Sequence, residues 1–594
     1  MKRYAIFAAV VTVGVAALVW SERHPLDVQV NPASFLYFIA DSEWELTRLP
    51  MAATRLSDEE EIDIGNRMAA NNSWLVNESN QTPDQKKQAR VVAEYIRHVG
   101  ARVAARATRK LPYRFHYIPQ MDFVNAFALP GGHVYIGAGL VAQMDSEDEL
   151  AAVLGHEIEH IDHYHCAERA QTEAHLRRFP LGEFAMIPAA IFEAGYSKDQ
   201  ELEADREGTQ LAVWAGYSPL GAMRMFETFD RLYREYVRHA ESPQEELSNV
   251  AVQTLEGYFR SHPLPSERIE QIRKLIGDNN WGNLNQERDL KVAYIFWTER
   301  AREAYESGSF DAAARLAQQS LKMHPEQPTA LDALAESQYA RADFADAAVE
   351  FRKELDLEPA NGRVIIRYCD ALIARHTPPD SLREYAAWLD SHPELTGRTA
   401  VGVQTRLELG RLTLAAEGES AADKVLFPTV AATAADLPPQ MRGRYGWWFY
   451  NLGQYDTAAK WLQGAVMELP SDGRLQIQMG WVLIEQHNLE AAMLRFNLSN
   501  GGPSSLESGG EIHRQRLFNE RGIGLAVAEW QAQQHDRALS DFMNVANTQP
   551  EWLNPKWVAA LYSPGVARTI EELKAEQKRR AGVHPPRDSE KLRD

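Results

Sequence analysis

The chain has 594 residues, 45% hydrophobic and 25% charged, which at the usual domain size means two to four folded units and argues against a disordered or polytopic membrane protein. Lys plus Arg number 63 against 83 Asp plus Glu, a net charge of −20 that disfavours a phosphate backbone as partner, so no nucleic acid is expected. Two cysteines, Cys166 and Cys369, cannot build a disulfide framework or a four-thiolate zinc site.

Lys2 and Arg3 precede an uncharged run, Tyr4 to Trp20, so residues 1–21 read as a signal peptide or a membrane anchor and residues 22–55 as a tether. The run lies at the lower edge of the roughly 17 to 25 residues that a spanning helix needs, and both fates stay open. Positive charge ahead of it places the remainder outside the cytoplasm either way. No later stretch can span a bilayer, since the most apolar, Phe184 to Tyr196, is short and interrupted by Pro188 and Glu193.

Ser57 with Glu60 forms a capping box that opens a helix, and a second helix is expected from Pro83 to Ala105. Tyr113, Phe115 and Tyr117 alternate with Arg114, His116 and Ile118 up to Pro119, the pattern of a strand. Asn125–Leu129 and His133–Ile136 read as two more strands, reversed through Pro130-Gly131-Gly132. Ser146 with Glu149 is a second capping box, starting a helix through Leu150, Val153, Leu154, Ile158 and Ile161. Ser197 with Gln200 begins another, which carries Glu201 to Trp214. This first unit is assigned to residues 56–280.

Beyond it the sequence repeats. Phe310, Ala313 and Pro325 recur 34 residues later as Phe344, Ala347 and Pro359. Tyr455, Ala458 and Pro470 are followed at the same displacement by Leu489 and Ala492, and His535, Ala538 and Pro550 keep the internal offsets. An aromatic residue at the helix turn, a small residue at the crossing and a closing proline resemble the tetratricopeptide repeat. Repeats are expected over 285–376 and 441–562, an irregular helical region over 377–440, and a charged tail over 563–594 that frays from Glu576 to Asp594.

The chemistry lies in His156-Glu157-Ile158-Glu159-His160. Two imidazoles four positions apart share a helix face about 6 Å apart along the axis, so one ion can touch both. Zinc suits neutral imidazole nitrogens, and a catalytic site wants a third protein ligand with one position left for water. Glu157 sits beside that position, able to take a proton from the water and deliver it to a departing amine. The metzincin pattern would need Gly at 163 and His at 166, where this chain has His163 and Cys166. His163 lies too far along the axis to meet the same ion. Glu201 and Asp205, four apart on another helix, fit better: Glu201 as ligand and Asp205 as acceptor for the remaining imidazole N–H. Glu203 points away from that face.

Four separated pieces, Asn125 to Gly132, His156 to His160, Glu201 to Asp205 and Ser261-His262-Pro263-Leu264-Pro265-Ser266-Glu267-Arg268-Ile269, together resemble the gluzincin metallopeptidases of the CAAX prenyl protease/HtpX family, across Leu56 to Ile276. The attached repeats and missing multiple spans are most similar to its periplasmic, repeat-bearing branch. The resemblance implies an α+β zincin-like protease domain followed by an all-α tetratricopeptide-repeat solenoid, predominantly helical. It implies one zinc per chain on His156, His160 and Glu201, with Glu157 as general base. Asn125, Ala126, Phe127, Ala128 and Leu129 become the cleft-edge strand that binds an extended substrate. His262 is placed near the metal, either donating to the oxyanion or filling the open coordination position at rest. Arg268 could assist the same oxyanion or serve as a salt-bridge partner.

The expected function is an exported zinc endopeptidase of the bacterial periplasm, soluble or tethered to the inner membrane by residues 4–20. Its repeats would recruit polypeptide substrates or partner proteins in envelope quality control. The competing expectation is a repeat scaffold or holdase that binds zinc with little turnover; a third is zinc as a purely structural cross-link.

Overall fold

Ser57 caps the first helix as its spacing with Glu60 requires: in the computed structural model the two residues exchange side-chain and backbone hydrogen bonds, and α1 runs Asp58–Asn71. The structure describes residues 56–76, 81, 83–176, 196–240, 266–375, 377–396, 399–427, 430, 436–499, 511–546 and 548–583. The N-terminal signal or anchor segment, the tether, the apolar stretch 184–195 and His262 lie outside them. The chain divides into two units between Ala293 and Tyr294.

In the first unit α1 is followed by α2 (Pro83–Ala104), then β1 (Arg114–Ile118), β2 (Ala126–Leu129) and β3 (His133–Gly137). The sheet order is β1-β3-β2, with β1 parallel to β3 and β2 antiparallel to it, Phe127 facing Tyr135. The reversal between β2 and β3 needs glycine. Gly131 has φ 76°, and a Cβ there would lie 2.7 Å from the Glu61 carbonyl oxygen of α1. The Gly131 N–H donates to Glu61 Oε1 at 3.0 Å. Glu61, fully buried, also pairs with Arg109 at 2.5 Å, so the turn is clamped to α1 through a compensated charge.

Four longer helices carry the rest of the unit's chemistry: α3 (Glu147–Asp162), α4 (His165–Leu176), α5 (Lys198–Trp214) and α7 (Ser266–Asp278), with α6 (Leu220–Ala240) between the last two. Ser197 and Gln200 complete their capping box on α5. On α3 only half of the expected box forms. Ser146 accepts from the Glu149 N–H, but Glu149 Oε2 takes the Asp145 N–H rather than that of Ser146. α3 and α5 cross at backbone contact: a Cβ on Gly208 would lie 2.6 Å from the His156 nitrogen, and one on Gly155 would lie 2.5 Å from the Gly208 oxygen. That approach brings the two motif-bearing helices within side-chain reach of each other.

The second unit is built of antiparallel helices. Phe310, Phe344, Tyr455, Leu489 and His535 each stand first in a helix. The paired alanines, Ala313, Ala347, Ala458, Ala492 and Ala538, are all at 0% exposure, because a larger side chain there would hold neighbouring helices apart. Between the repeat sets lie Pro378–Asp390, Ala400–Glu417 and Glu419–Leu426, which bury Tyr385, Trp388 and Leu412. Pro564–Val583, in the expected charged tail, is a helix anchored by the buried stripe Val566, Ile570 and Leu573 at helical spacing, so the expected fraying from Glu576 is corrected as far as Val583. Among the described residues no helix is long and apolar enough to cross a membrane.

Candidate metal centre

His156 and His160 lie on consecutive turns of α3 and point one way, while Glu201 projects to meet them from the first turn of α5. His156 Nε2 and His160 Nε2 are 3.0 Å apart. Glu201 Oε2 lies 3.6 Å from the first and Glu201 Oε1 lies 3.5 Å from the second. An ion held tetrahedrally at about 2.0–2.1 Å needs donor atoms about 3.3 Å apart, so two imidazole nitrogens and one carboxylate oxygen fit a zinc-sized cation and leave a fourth position. All three side chains are buried.

The groups behind these donors fix their direction. His156 Nδ1 lies 2.9 Å from Asp205 Oδ1, one turn beyond Glu201 on α5, so its hydrogen is held there and Nε2 presents a lone pair. Asp205 in turn receives Arg268 Nε and Nη2 at 2.5 and 2.6 Å, and Arg268 Nη1 lies 3.3 Å from Glu201 Oε2. The Phe226 ring covers the guanidinium at 4.8 Å. Burial opposes ionisation of Asp205, but the Arg268 charge and the hydrogen bonds from Arg268 and His156 outweigh it and hold its carboxyl below the usual range. Of the two expectations for Arg268, the structure places it as an ion-pair partner of both carboxyl groups. Burial pushes His160 well below its ordinary range, which keeps the imidazole neutral as a ligand must be.

Glu157 follows His156 on α3 and is 1% exposed. His163 caps the C-terminus of α3, apart from the trio. It sits 3.2 Å from Glu159 and 2.9 Å from Glu207, whose hydrogen bonds hold it protonated, raised to about 9. Asn125 precedes β2, an edge strand whose four residues are all buried. The Gly137 N–H donates to the Asn125 carbonyl, so the main-chain groups of Ala126 and Ala128 face away from β3. The Asn125 side chain takes the Ala126 N–H at 2.9 Å, and the Cys166 thiol reaches the Ala128 carbonyl at 3.5 Å.

Two contributors escaped the sequence reading. Tyr196 stacks on His160 at 3.9 Å between ring centroids. His165 brings its Nδ1 within 3.0 Å of His160 Nδ1. Helical spacing could not find His165, because Tyr164 adopts φ 63°, ends the helix and turns the chain back. The third histidine in the run His160, His163, His165 was the available signal.

This donor set on two crossed helices beside a small sheet is the arrangement of a zincin-type metallopeptidase. Residues 90–276 match the model of peptidase family M48, and they form an M48 domain joined in this chain to tetratricopeptide-type repeats. Among individual proteins, the chain is similar to the putative beta-barrel assembly-enhancing protease of Vibrio cholerae, 31% identical over 38% of this chain and 46% of that protein. It is similar also to the beta-barrel assembly-enhancing protease of Escherichia coli strain K12, 27% identical over 46% of this chain and 56% of that one. The chain thus spans about half the length of these relatives. The crystal structure of a tetratricopeptide repeat protein from Parabacteroides merdae matches 48% of this chain and 98% of its own at 14% identity and a TM-score of 0.28.

Proposed function

We propose that the chain is an exported zinc-dependent endopeptidase acting on polypeptides in envelope protein quality control, with its repeats recruiting the substrates. What carries the reading is the convergence of His156 Nε2 and His160 Nε2, 3.0 Å apart, with the Glu201 carboxylate, whose Oε2 lies 3.6 Å from the first and whose Oε1 lies 3.5 Å from the second. The names of the similar proteins support the setting: beta-barrel assembly occurs in a bacterial envelope, and the two relatives are described as proteases that enhance it.

When bound, zinc supplies Lewis acidity, polarising a carbonyl and making water easier to deprotonate. His156, His160 and Glu201 hold it; Asp205 and Arg268 keep His156 and Glu201 in place. Glu157 takes the proton from the attacking water and passes it to the leaving amine nitrogen. Ala126 N–H and Ala128 C=O supply the main-chain pairing for an extended substrate once it displaces the Asn125 amide and the Cys166 thiol. Pairing through backbone alone selects extended, unfolded segments over any particular sequence. His262 keeps both assigned roles, oxyanion donor or resting occupant of the open position.

The test compares the zinc-loaded parent with Glu157→Gln on labelled casein. Equal cleavage by the two removes the hydrolytic reading. A parent that binds zinc and retains unfolded clients without cleaving them leaves the scaffold reading in its place.

A further inference from the structure

His165 is 2% exposed, and it belongs neither to the three donors nor to the base. Its Nδ1 lies 3.0 Å from His160 Nδ1. Two ring nitrogens at that distance share one hydrogen. A metal on His160 Nε2 needs the lone pair there, so the His160 hydrogen sits on Nδ1 and His165 Nδ1 must accept it. His165 then carries its own hydrogen on Nε2, which faces Glu203 Oε2 at 3.3 Å, an acceptor. The direction of the whole chain is therefore fixed from both ends, by a cation at one and a carboxylate at the other. Tyr196, stacked on His160 with only 17° between the rings, opposes rotation of the imidazole.

We propose that His165, backed by Glu203, is a positioning residue that sets the tautomer and orientation of His160 for zinc, as Asp205 does for His156. The two imidazoles are supported differently for a physical reason. Asp205 is buried and stabilised by Arg268. A second carboxylate directly behind His160 would need its own buried cation. Relaying through a neutral imidazole moves the charge out to Glu203, whose side chain is 37% exposed and solvated. Glu203 thereby takes part in the site without reaching the metal.

The inference rests on the zinc reading above, and the experiment separates the two. Zinc affinity of the full chain is measured by competition with a chromogenic chelator, for the parent and for His165→Phe, His165→Gln and Glu203→Ala, with circular dichroism to follow folding. A parent that binds no zinc overturns the zinc reading itself. Given a binding parent, His165→Phe keeps the ring's bulk but not the acceptor, and zinc affinity falls about 10- to 100-fold. His165→Gln offers Oε1 to the His160 Nδ1–H and an amide N–H to Glu203, and it recovers affinity to within about threefold of the parent. Parent-like affinity in His165→Phe, or equal losses in the Phe and Gln variants, overturns the proposal. Should His165→Phe not fold, Glu203→Ala decides at a partly exposed position: a loss of about three- to tenfold is expected, and unchanged affinity overturns it.

Discussion

Both units bury charge, but they use it in opposite ways. In the repeat unit several buried or half-buried carboxyl groups meet guanidinium groups, most of them from a neighbouring helix. Glu336 receives Arg363 and Arg367, Glu408 lies against Arg411 and Arg444, and Asp370 pairs with Arg411 at 2.6 Å. Glu354, with less compensation, is pushed up to about 9 by burial and by Asp332. These charges are settled among themselves, and their product is a fixed register between successive helices. In the first unit one guanidinium, Arg268, faces two carboxyl groups, while two imidazole nitrogens aim at the same point. Convergence that the chain's own cations do not complete is what distinguishes a site for a cation from a scaffold.

The largest expected effect breaks the chemistry and leaves the structure. Glu157→Gln lowers peptide hydrolysis by about 10²- to 10⁴-fold, the usual worth of a positioned base, while zinc content measured by elemental analysis stays at the parent's level. Next come paired changes that set the two kinds of buried charge side by side. Arg268→Ala leaves Asp205 uncompensated and costs about 3–5 kcal/mol of first-unit stability in denaturant unfolding, together with zinc affinity. Glu408→Ala carries a similar cost in the repeats, and zinc affinity is unchanged. If Glu408→Ala also weakens zinc binding, the division of labour between the units is wrong.

A smaller effect is expected at the helix crossing. Gly208→Ala drives a methyl into the His156 backbone, and overpacking of this kind costs about 1–3 kcal/mol and loosens zinc binding. Gly524→Ala, whose Cβ would meet the Phe496 ring, perturbs only the repeat unit. The smallest effect is a pH dependence. His163 is raised to about 9 in the folded chain by the hydrogen bonds it donates to Glu159 and Glu207. Its stabilising contribution is therefore complete below about pH 6.5, the ordinary value, and is lost as pH rises through 9. At a partly exposed position the effect is under about 1 kcal/mol. Melting curves between pH 6 and pH 10 show the decline in the parent and its absence in His163→Gln.

Much of the molecule is legible in its one-dimensional pattern because the relevant physics is local. Capping pairs mark where α1, α3 and α5 begin, and alternation marks the strands. A 34-residue recurrence marks the repeats, and i, i+4 spacing places His156 with His160 and Glu201 with Asp205 on shared faces. The same local rules failed where a side chain's partners come from elsewhere. The stretch from Glu576 looked charged and frayed, yet as far as Val583 it continues a helix that Val566, Ile570 and Leu573 anchor.

The sequence by itself determined which donors this protein owns and which of them share a face, since helical geometry acts over four residues and needs no partner. Tertiary structure alone decided that Gly155 and Gly208 let two helices touch, that Arg268 is held by Asp205 and Glu201, and that His165 returns to His160 after the left-handed turn at Tyr164. Those outcomes depend on distances between segments far apart in the chain and on one reversed backbone angle, neither of which periodicity encodes.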